Sequence, residues 1–208
     1  MLYSELQCSE AIRKAVERMG FAEMTEIQEK TIPVMLAGHD VIAKAPTGTG
    51  KTCAFGIPVA EHIQPENKYP QAVIMAPTRE LAQQIAEELS NLTYFMPEVQ
   101  VACVYGGANM EKQAKRLAEG CQIVVATPGR LMDHYKHHSI DISHVTQIVL
   151  DEADEMLNMG FYKDVKQIID TMKNRKSLFG YCLVMLCGAY IYGNIRISRL
   201  LKCRLTSV

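Results

Sequence analysis

The stretch APTGTGKT, residues 45 to 52, joins an apolar run, Val41 to Lys44, to a segment of helical composition. It matches the phosphate-binding loop pattern GxxxxGK followed by Ser or Thr, with Ala45 in place of the first glycine. That outer position needs only a small residue, while Gly48 and Gly50 supply the conformational freedom of the turn. A strand, a glycine-rich turn and a helix in this order predict a site for nucleotide phosphates. The loop residues are Ala45, Pro46, Thr47, Gly48, Thr49, Gly50, Lys51 and Thr52.

Each part of such a loop has a physical role. Its backbone N–H groups and the N-terminus of the following helix point at a β-phosphate. Lys51 reaches the β- and γ-phosphates as a point charge, and the Thr52 hydroxyl ligates Mg²⁺. The alternative is a glycine-rich turn with an incidental lysine, but the strand before the loop and the helix after it favour the phosphate site.

Short apolar runs rich in β-branched residues alternate with segments of helical period along residues 41 to 179. Strand, helix and strand repeated in this way predict an α/β fold, a doubly wound parallel sheet covered on both faces. Ligands of such sheets bind at the carboxyl ends of the strands. The predicted strands are Val41 to Lys44, Ala72 to Ala76, Val99 to Tyr105, Gln122 to Ala126, Gln147 to Leu150 and Ser177 to Phe179.

A cluster of carboxylates follows directly after the apolar run Gln147 to Leu150, at the carboxyl end of a predicted strand. A phosphate-bound Mg²⁺ needs an oxygen ligand there, directly or through water, and Asp151 is placed to supply it. Glu152 is placed to accept a proton from an attacking water. With Lys51 and Asp154 they form the predicted catalytic set. The alternative is an acidic first turn that stabilises a short helix through its dipole, but the phosphate loop favours the catalytic interpretation.

The sequence resembles the DEAD-box ATP-dependent RNA helicases in five motifs that occur in the family's order. They are APTGTGKT at 45 to 52, PTRELA at 77 to 82, GG at 106 and 107, TPGR at 127 to 130 and DEAD at 151 to 154. The resemblance covers residues 3 to about 179. It implies a P-loop nucleotide hydrolase with a RecA-like helicase lobe that binds ATP and Mg²⁺.

The stretch GFAEMTEIQ at 20 to 28 is similar to the adenine-reading Q motif of that family. Met24 and Glu26 stand where the motif usually has proline, while Phe21 and Gln28 match it. A glutamine amide offers a donor and an acceptor to the N7 and N6 groups of adenine, and an aromatic ring can cover the base. Phe21 and Gln28 are therefore expected to bind adenine, and Gln28 to favour ATP over GTP.

Several residues that follow predicted strands are suited to bind phosphates without reading bases. The resemblance implies that they contact the sugar-phosphate backbone of single-stranded or duplex RNA, with little sequence preference. A local alternative stays open for single residues, since Thr78 can cap a helix and Gly107 can end a strand. The eight residues are Pro77, Thr78, Arg79, Gly107, Thr127, Pro128, Gly129 and Arg130.

The composition is that of an ordinary globular protein. In 208 residues, 22 Lys and Arg balance 23 Asp and Glu, which argues against a polybasic nucleic-acid coat. Seven cysteines without a CxxC pair indicate neither a disulfide framework nor a zinc ribbon. His134, His137 and His138 have helical spacing but no suitable partner ligand, so a solvated basic face is favoured over a metal site. The first residues lack the features of a secretion signal, which favours a cytoplasmic protein.

The resemblance stops inside the last predicted strand. Where the family has SerAlaThr, this chain has SerLeuPhe at 177 to 179, and residues 180 to 208 contain four basic residues and no acidic one. We expect this tail to come from a shifted reading frame or an alternative coding end, with Leu178 and Phe179 forming an edge strand. Its apolar run from 178 to 192 is shorter than the about 20 residues that span a bilayer, so no membrane contact is expected.

Three parts are predicted along the chain: a Q-motif element at 1–31, a RecA-like ATP-binding lobe at 32–179 and the divergent tail at 180–208. A second RecA-like lobe, which the resemblance implies, is absent from this sequence. Two functions stay open. The chain is the N-terminal lobe of a helicase that couples ATP binding and hydrolysis to RNA remodelling when a second lobe is present. Otherwise it is a catalytically incomplete ATP- and RNA-binding or regulatory module from a truncated or frame-shifted reading frame.

Overall fold

The structure is a computed structural model that describes residues 1–46, 48–172, 177–182 and 200–204, the last two ranges as backbone. Thr47 of the predicted phosphate loop and most of the predicted tail lie outside the described residues. No helix in the described ranges has the length and apolar character needed to cross a membrane.

Helices and strands alternate from the first sheet strand onward. A 3₁₀ turn (Tyr3–Glu5) and two helices precede that strand. In chain order the elements are α1 (Glu10–Arg18), α2 (Glu26–Leu36), β1 (Asp40–Lys44), α3 (Lys51–Glu61), β2 (Ala72–Met75), α4 (Arg79–Leu92), β3 (Val101–Val104), α5 (Met110–Ala118), β4 (Ile123–Ala126), α6 (Pro128–Lys136), β5 (Gln147–Leu150), α7 (Ala153–Asn158), α8 (Tyr162–Thr171), β6 (Ser177–Cys182) and β7 (Leu200–Arg204).

The described strands form one sheet in the order β3-β4-β2-β5-β6-β1-β7. Every neighbouring pair is parallel, which confirms the predicted α/β architecture. Because the strands are parallel, all their carboxyl ends lie at the same edge of the sheet. The segments that follow β1, β2, β3, β4 and β5 therefore share one end of the molecule, and they carry all the predicted site residues except Phe21 and Gln28, which precede β1.

The predicted edge position of the strand at 177 is wrong. Strand β6 lies inside the sheet, where Phe179 is in register with Val149 of β5 on one side and with Val41 of β1 on the other. The strand also continues beyond 179 to Cys182. A short apolar run shows that a segment is a strand, but its neighbours depend on how the preceding helix crosses the sheet, and that information is not local.

Two hydrophobic layers enclose the sheet. Side chains alternate between its faces, so Ile74 of β2 joins the core that holds α3 and α4, while Val73 and Met75 join the core that holds α6 and α8. The N-terminal segment packs on the first layer, because Tyr3 and Ile12 belong to the same core as α3. Strands β2, β4 and β5 are buried along their whole length, as parallel strands covered on both faces must be.

Helix α3 lies close to α4 because Gly56 has no side chain. A methyl group at Gly56 would lie 2.7 Å from Leu92 Cδ1 and 3.0 Å from Leu89 Cδ2. Both leucines are fully buried, so neither has free space into which to move. Gly56 therefore sets how closely the helix after the phosphate loop approaches its neighbour.

We expect Gly56→Ala to lower the melting temperature, although alanine is the better helix former by about 1 kcal/mol. Overpacking against two buried leucines costs about 1–3 kcal/mol. Gly129→Ala is the matched control in α6, because its methyl group meets only Phe161 Cε1, at 3.9 Å. Thermal unfolding should show a loss for the first variant and no loss for the second. Equal melting temperatures of the two variants would mean that the space between α3 and α4 accommodates the added methyl group.

Candidate active site

The predicted phosphate loop connects β1 to α3. Gly48 and Gly50 both adopt left-handed backbone, each with φ +83°, a conformation that glycine reaches without strain. Gly50 is the N-cap of α3, and Lys51 is its first residue. Ala45 is fully buried, so the small residue that replaces the first glycine of the pattern is part of the core. The two glycines therefore use the conformational freedom that the sequence assigned to them.

Gln28 and Thr25 hold this loop from the N-terminal side. The Gln28 side chain donates from Nε2 to the Gly50 carbonyl at 3.0 Å. Its Oε1 accepts from the Thr25 backbone N–H at 2.8 Å and from the Tyr3 hydroxyl at 2.7 Å. The Thr25 hydroxyl donates to the Thr49 carbonyl at 2.8 Å. Two successive loop carbonyls are thereby fixed by side chains of the α2 region.

The two residues predicted to bind adenine have different surroundings. Gln28 is only 4% exposed, and both acceptor positions of its amide oxygen and one of its two N–H donors are engaged within the protein. Phe21 is 44% exposed and its ring stacks near Tyr3, with centroids 6.4 Å apart. One amide N–H and one exposed aromatic face remain available at this corner of the site.

Lys51 and Asp151 lie opposite each other at the carboxyl end of the sheet. The Lys51 Nζ is 3.7 Å from Asp151 Oδ1, and both side chains are almost fully buried. Within the described residues Nζ has no hydrogen-bond partner. A buried ammonium with a single, distant counter-charge is unfavourable in the free protein. This unsatisfied donor fits an anionic ligand such as a phosphate.

The acidic turn after β5 is tightly built. The Asp151 backbone N–H donates to the Met75 carbonyl of β2 at 2.9 Å. Burial raises the pKa of the Asp151 carboxyl to about 6, although the attraction of the Lys51 charge lowers it. Glu152 has left-handed backbone, φ +50°, a strain of about 1–3 kcal/mol that is typical of functional turns. Asp154 follows in α7 and is buried.

The residues predicted to bind RNA occupy three neighbouring loops at the same end of the sheet. Thr78 is exposed, and its hydroxyl accepts from the Leu81 N–H at 3.2 Å, so it caps α4. Gly107 has left-handed backbone, φ +81°. Thr127 is the N-cap of α6. Thr78 therefore has the local capping role that stayed open, whereas Gly107 does not end a strand, because β3 ends at Val104. Pro128 is the first residue of α6 and Gly129 the second, while Pro77 is buried and Arg79 exposed.

Arg130 is bound to its own protein by a residue that the sequence did not reveal. Its Nη1 donates to the Ala108 carbonyl and to Gln113 Oε1, both at 2.9 Å. Gln113 also donates from Nε2 to the Tyr105 carbonyl at 3.1 Å. The available signal was a polar residue on the buried face of α5, four positions before the buried Leu117.

His134 contradicts the predicted solvated face. It is fully buried, with Nε2 3.1 Å from Gln113 Oε1, and burial together with the nearby Arg130 charge lowers its pKa. Helix α6 turns this side chain towards α5, while His137 and His138 are exposed. The part of the chain that the structure describes contains no cluster of three His, Cys, Asp or Glu residues suited to hold a metal ion.

A parallel sheet with a phosphate loop after β1 and an acidic turn after β5 defines a P-loop nucleotide-binding lobe. The sequence model of the family described as DEAD/DEAH box helicase matches residues 25–187. The chain belongs to the DEAD/DEAH box helicase family.

Two curated relatives and one solved structure illustrate the similarity. The ATP-dependent RNA helicase CshA of Limosilactobacillus reuteri is 51% identical over 179 residues, which cover 86% of this chain and 36% of that protein. The ATP-dependent RNA helicase DeaD of Escherichia coli is 44% identical over 167 residues, or 80% of this chain and 27% of that protein. The chain thus spans about a third of the length of the curated relatives it matches.

The similar solved structure is the crystal structure of a DEAD box protein from the hyperthermophile Methanococcus jannaschii. It has a TM-score of 0.90 and 35% sequence identity, and the match covers 98% of this chain and 56% of that one. The fold of this chain is therefore that of a DEAD-box helicase lobe.

We expect Gly50→Ala to destabilise the free chain more than Gly48→Ala does. Both substitutions carry the left-handed strain of roughly 1–2 kcal/mol, but only a methyl group at Gly50 meets the Gln28 amide, at 2.4 Å from Nε2. At Gly48 no atom lies within 4 Å of the added methyl. Chemical denaturation measures the clash in five variants: Gly48→Ala, Gly50→Ala, Gln28→Ala and the two double variants that combine a glycine substitution with Gln28→Ala. In the Gln28→Ala background the cost at Gly50 should fall to the cost at Gly48, and an unchanged difference would contradict a clash with the Gln28 amide.

We expect Asp151→Asn to alter how stability depends on pH. The folded pKa of about 6 exceeds the ordinary value of 3.8, so the carboxyl favours the folded state below pH 3.8 and loses that contribution as pH rises through 6. Asparagine has no such dependence. The free energy of unfolding of the variant minus that of the wild type should therefore rise by about 3 kcal/mol between these two pKa values. Denaturation across this pH range tests it, and a flat difference would refute the raised pKa.

Proposed function

We propose that the chain is the ATP- and RNA-binding lobe of a cytoplasmic DEAD-box RNA helicase, in which ATP binding and hydrolysis are coupled to RNA remodelling in the whole protein. One observation carries the nucleotide part of this proposal. The buried Lys51 ammonium lies beside Asp151 without a hydrogen-bond partner among the described residues, at the end of a loop whose carbonyls are held by Gln28 and Thr25.

ATP phosphates fit this loop because its donors are already in place. The N-terminus of α3 begins at Lys51, and the N–H groups of its first turn are unpaired within the helix and carry a positive partial charge. The ammonium of Lys51 supplies a full charge beside them. A β- or γ-phosphate bound there receives the hydrogen bond that Lys51 lacks in the free protein.

Mg²⁺ fits the donor set of Thr52 and Asp151, since a hydroxyl and a carboxylate are oxygen ligands of the kind that this ion binds. When bound together with ATP it neutralises charge on the phosphates. The Asp151 carboxyl must be ionised for this role, and its raised pKa of about 6 still leaves it mostly ionised at neutral pH. Glu152 and Asp154 supply the remaining carboxylates of the turn, with Glu152 placed to accept a proton from water.

Adenine is proposed to bind against Phe21 and Gln28. The free N–H of Gln28 Nε2 suits the N7 acceptor of adenine, and guanine offers the same N7 group. Discrimination therefore rests on Gln28 Oε1, which can accept from the adenine N6 amino group but has nothing to accept from the guanine O6. In the free protein this acceptor is shared with the Tyr3 hydroxyl, which can rotate away when the base arrives.

RNA is proposed to cross the loops after β2, β3 and β4. The hydroxyls of Thr78 and Thr127, the guanidinium groups of Arg79 and Arg130 and the backbone N–H of Gly107 are groups that bind phosphate oxygens. Pro77, Pro128 and Gly129 shape these loops. Contacts of this kind position the strand without reading its bases, so little sequence preference is expected.

The alternative function is a binding or regulatory module without efficient turnover. The chain spans about a third of the length of its curated relatives. Cationic groups that stabilise charge on the transferred phosphoryl group accelerate hydrolysis by about 10³- to 10⁵-fold. We propose that a second RecA-like lobe supplies these groups. Steady-state ATPase assays on residues 1–208, with and without RNA, distinguish the two proposed functions. Rapid RNA-stimulated ATP hydrolysis would exclude the binding or regulatory module.

We expect Lys51→Ala to abolish ATP binding, because it removes the unsatisfied ammonium. Gln28→Ala should weaken the binding of ATP and reduce the preference for ATP over GTP. Because loss of the contact to the Gly50 carbonyl would weaken the binding of both nucleotides equally, the ratio of the two dissociation constants reports base recognition alone. Fluorescence titration of both nucleotides measures that ratio, with Tyr3→Phe as the control that retains the amide. Equal affinities of the wild type for ATP and GTP would end the proposed role of Gln28.

A further inference from the structure

Arg79 has an unusual partner for a surface arginine. It is the first residue of α4, and its guanidinium carbon lies 4.9 Å from the centre of the Tyr105 ring. Within the described ranges no carboxylate pairs with Arg79 and no protein acceptor binds its N–H groups. The aromatic ring is thus the contact that fixes this cation.

A ring contact differs chemically from a salt bridge. The aromatic ring attracts the cation through its negatively polarised face, whereas the N–H donors of a guanidinium lie in its plane and point outward. A carboxylate partner would have occupied those donors. Arg130 illustrates the difference, because its Nη1 is already bonded to Ala108 and Gln113. Arg79 therefore keeps a donor fork of the shape that binds two phosphate oxygens.

Tyr105 is itself fixed at both ends. It follows β3 directly, and its hydroxyl accepts from Gln83 Nε2 at 2.9 Å. Gln83 lies one helical turn after Arg79 on α4, so both side chains lie on the same side of that helix. The backbone carbonyl of Tyr105 accepts a hydrogen bond from Gln113 Nε2. The ring is held between the end of β3 and α4, with Arg79 beside it.

We propose that Tyr105 is a positioning residue for RNA binding: its ring holds the Arg79 guanidinium towards a phosphodiester group, and Gln83 fixes the ring. The inference rests on the proposed function, because it concerns the RNA face of that same site. It adds a residue that makes no phosphate contact of its own. The ligand is the backbone of a single-stranded RNA, and the contact adds affinity without base preference.

The test is a double-substitution cycle on the full chain, with a labelled uridine RNA of about ten nucleotides followed by fluorescence anisotropy. Tyr105→Leu removes the ring and should weaken RNA binding about 2- to 5-fold, the range for an exposed cation–π contact. Tyr105→Phe keeps the ring and should retain most of the affinity. In the Arg79→Ala background Tyr105→Leu should have no further effect. ATP affinity and melting temperature are measured for every variant.

The outcomes separate the inference from the function on which it rests. A wild type that binds no RNA overturns both. A wild type that binds RNA, with the Tyr105→Leu effect persisting in the Arg79→Ala background, means that the ring contacts RNA directly and overturns the inference alone. Equal loss of ATP affinity and a lower melting temperature in Tyr105→Leu mean a purely structural role. Full affinity of Tyr105→Leu excludes any positioning role.

Discussion

The site depends on one juxtaposition, the buried Lys51 ammonium opposite the buried Asp151 carboxyl. Neither group would be stable alone at this depth, because desolvation of an isolated charge is costly. The sheet brings the two groups together: Lys51 begins the helix after β1, Asp151 directly follows β5, and β6 lies between those two strands. Neighbouring strands are about 4.8 Å apart. Because β6 lies between them, β1 and β5 are two strand spacings apart. The phosphate loop and the acidic turn approach each other across this gap.

The second constraint is the polar clasp at the loop. Backbone carbonyls in a tight turn need donors, and the side chains of Thr25 and Gln28 supply them to the carbonyls of Thr49 and Gly50. The same contacts make the α2 region part of the nucleotide site before any ligand is present. A glycine is required at Gly50 because the Gln28 amide occupies the space that a side chain would need. The amide that fixes the loop is thus also the group proposed to recognise the base.

At the proposed RNA face, two arginines of the same charge have different environments. Arg130 ties α6 to the loop after β3 through Gln113 and Ala108, so much of its hydrogen-bonding capacity maintains the surface itself. Arg79 rests on an aromatic ring and keeps its donors. Charge count alone treats the two as equivalent. Their neighbours decide which one organises the surface and which one is free to bind a ligand.

The sequence by itself determined the local features, because their causes lie within a few residues. The glycine pattern predicted a turn with conformational freedom at Gly48 and Gly50, the apolar runs predicted β1 to β5, and the position of Asp151 after a strand predicted carboxylates at the edge of the sheet. These features depend on backbone sterics and short-range periodicity. They were sufficient to define the fold class and most of the candidate nucleotide site.

Only the tertiary structure decided the features that depend on distant segments. Four features join residues that are 21 or more positions apart: the interior place of β6, the burial of His134 against Gln113, the contact of Gln28 with the Gly50 carbonyl and the Tyr105 ring beside Arg79. Local patterns cannot encode these partners, because strand order and helix rotation minimise the free energy of the whole core rather than of one segment. The sequence determined which side chains are present, and the packing of the whole fold determined which of them are in contact.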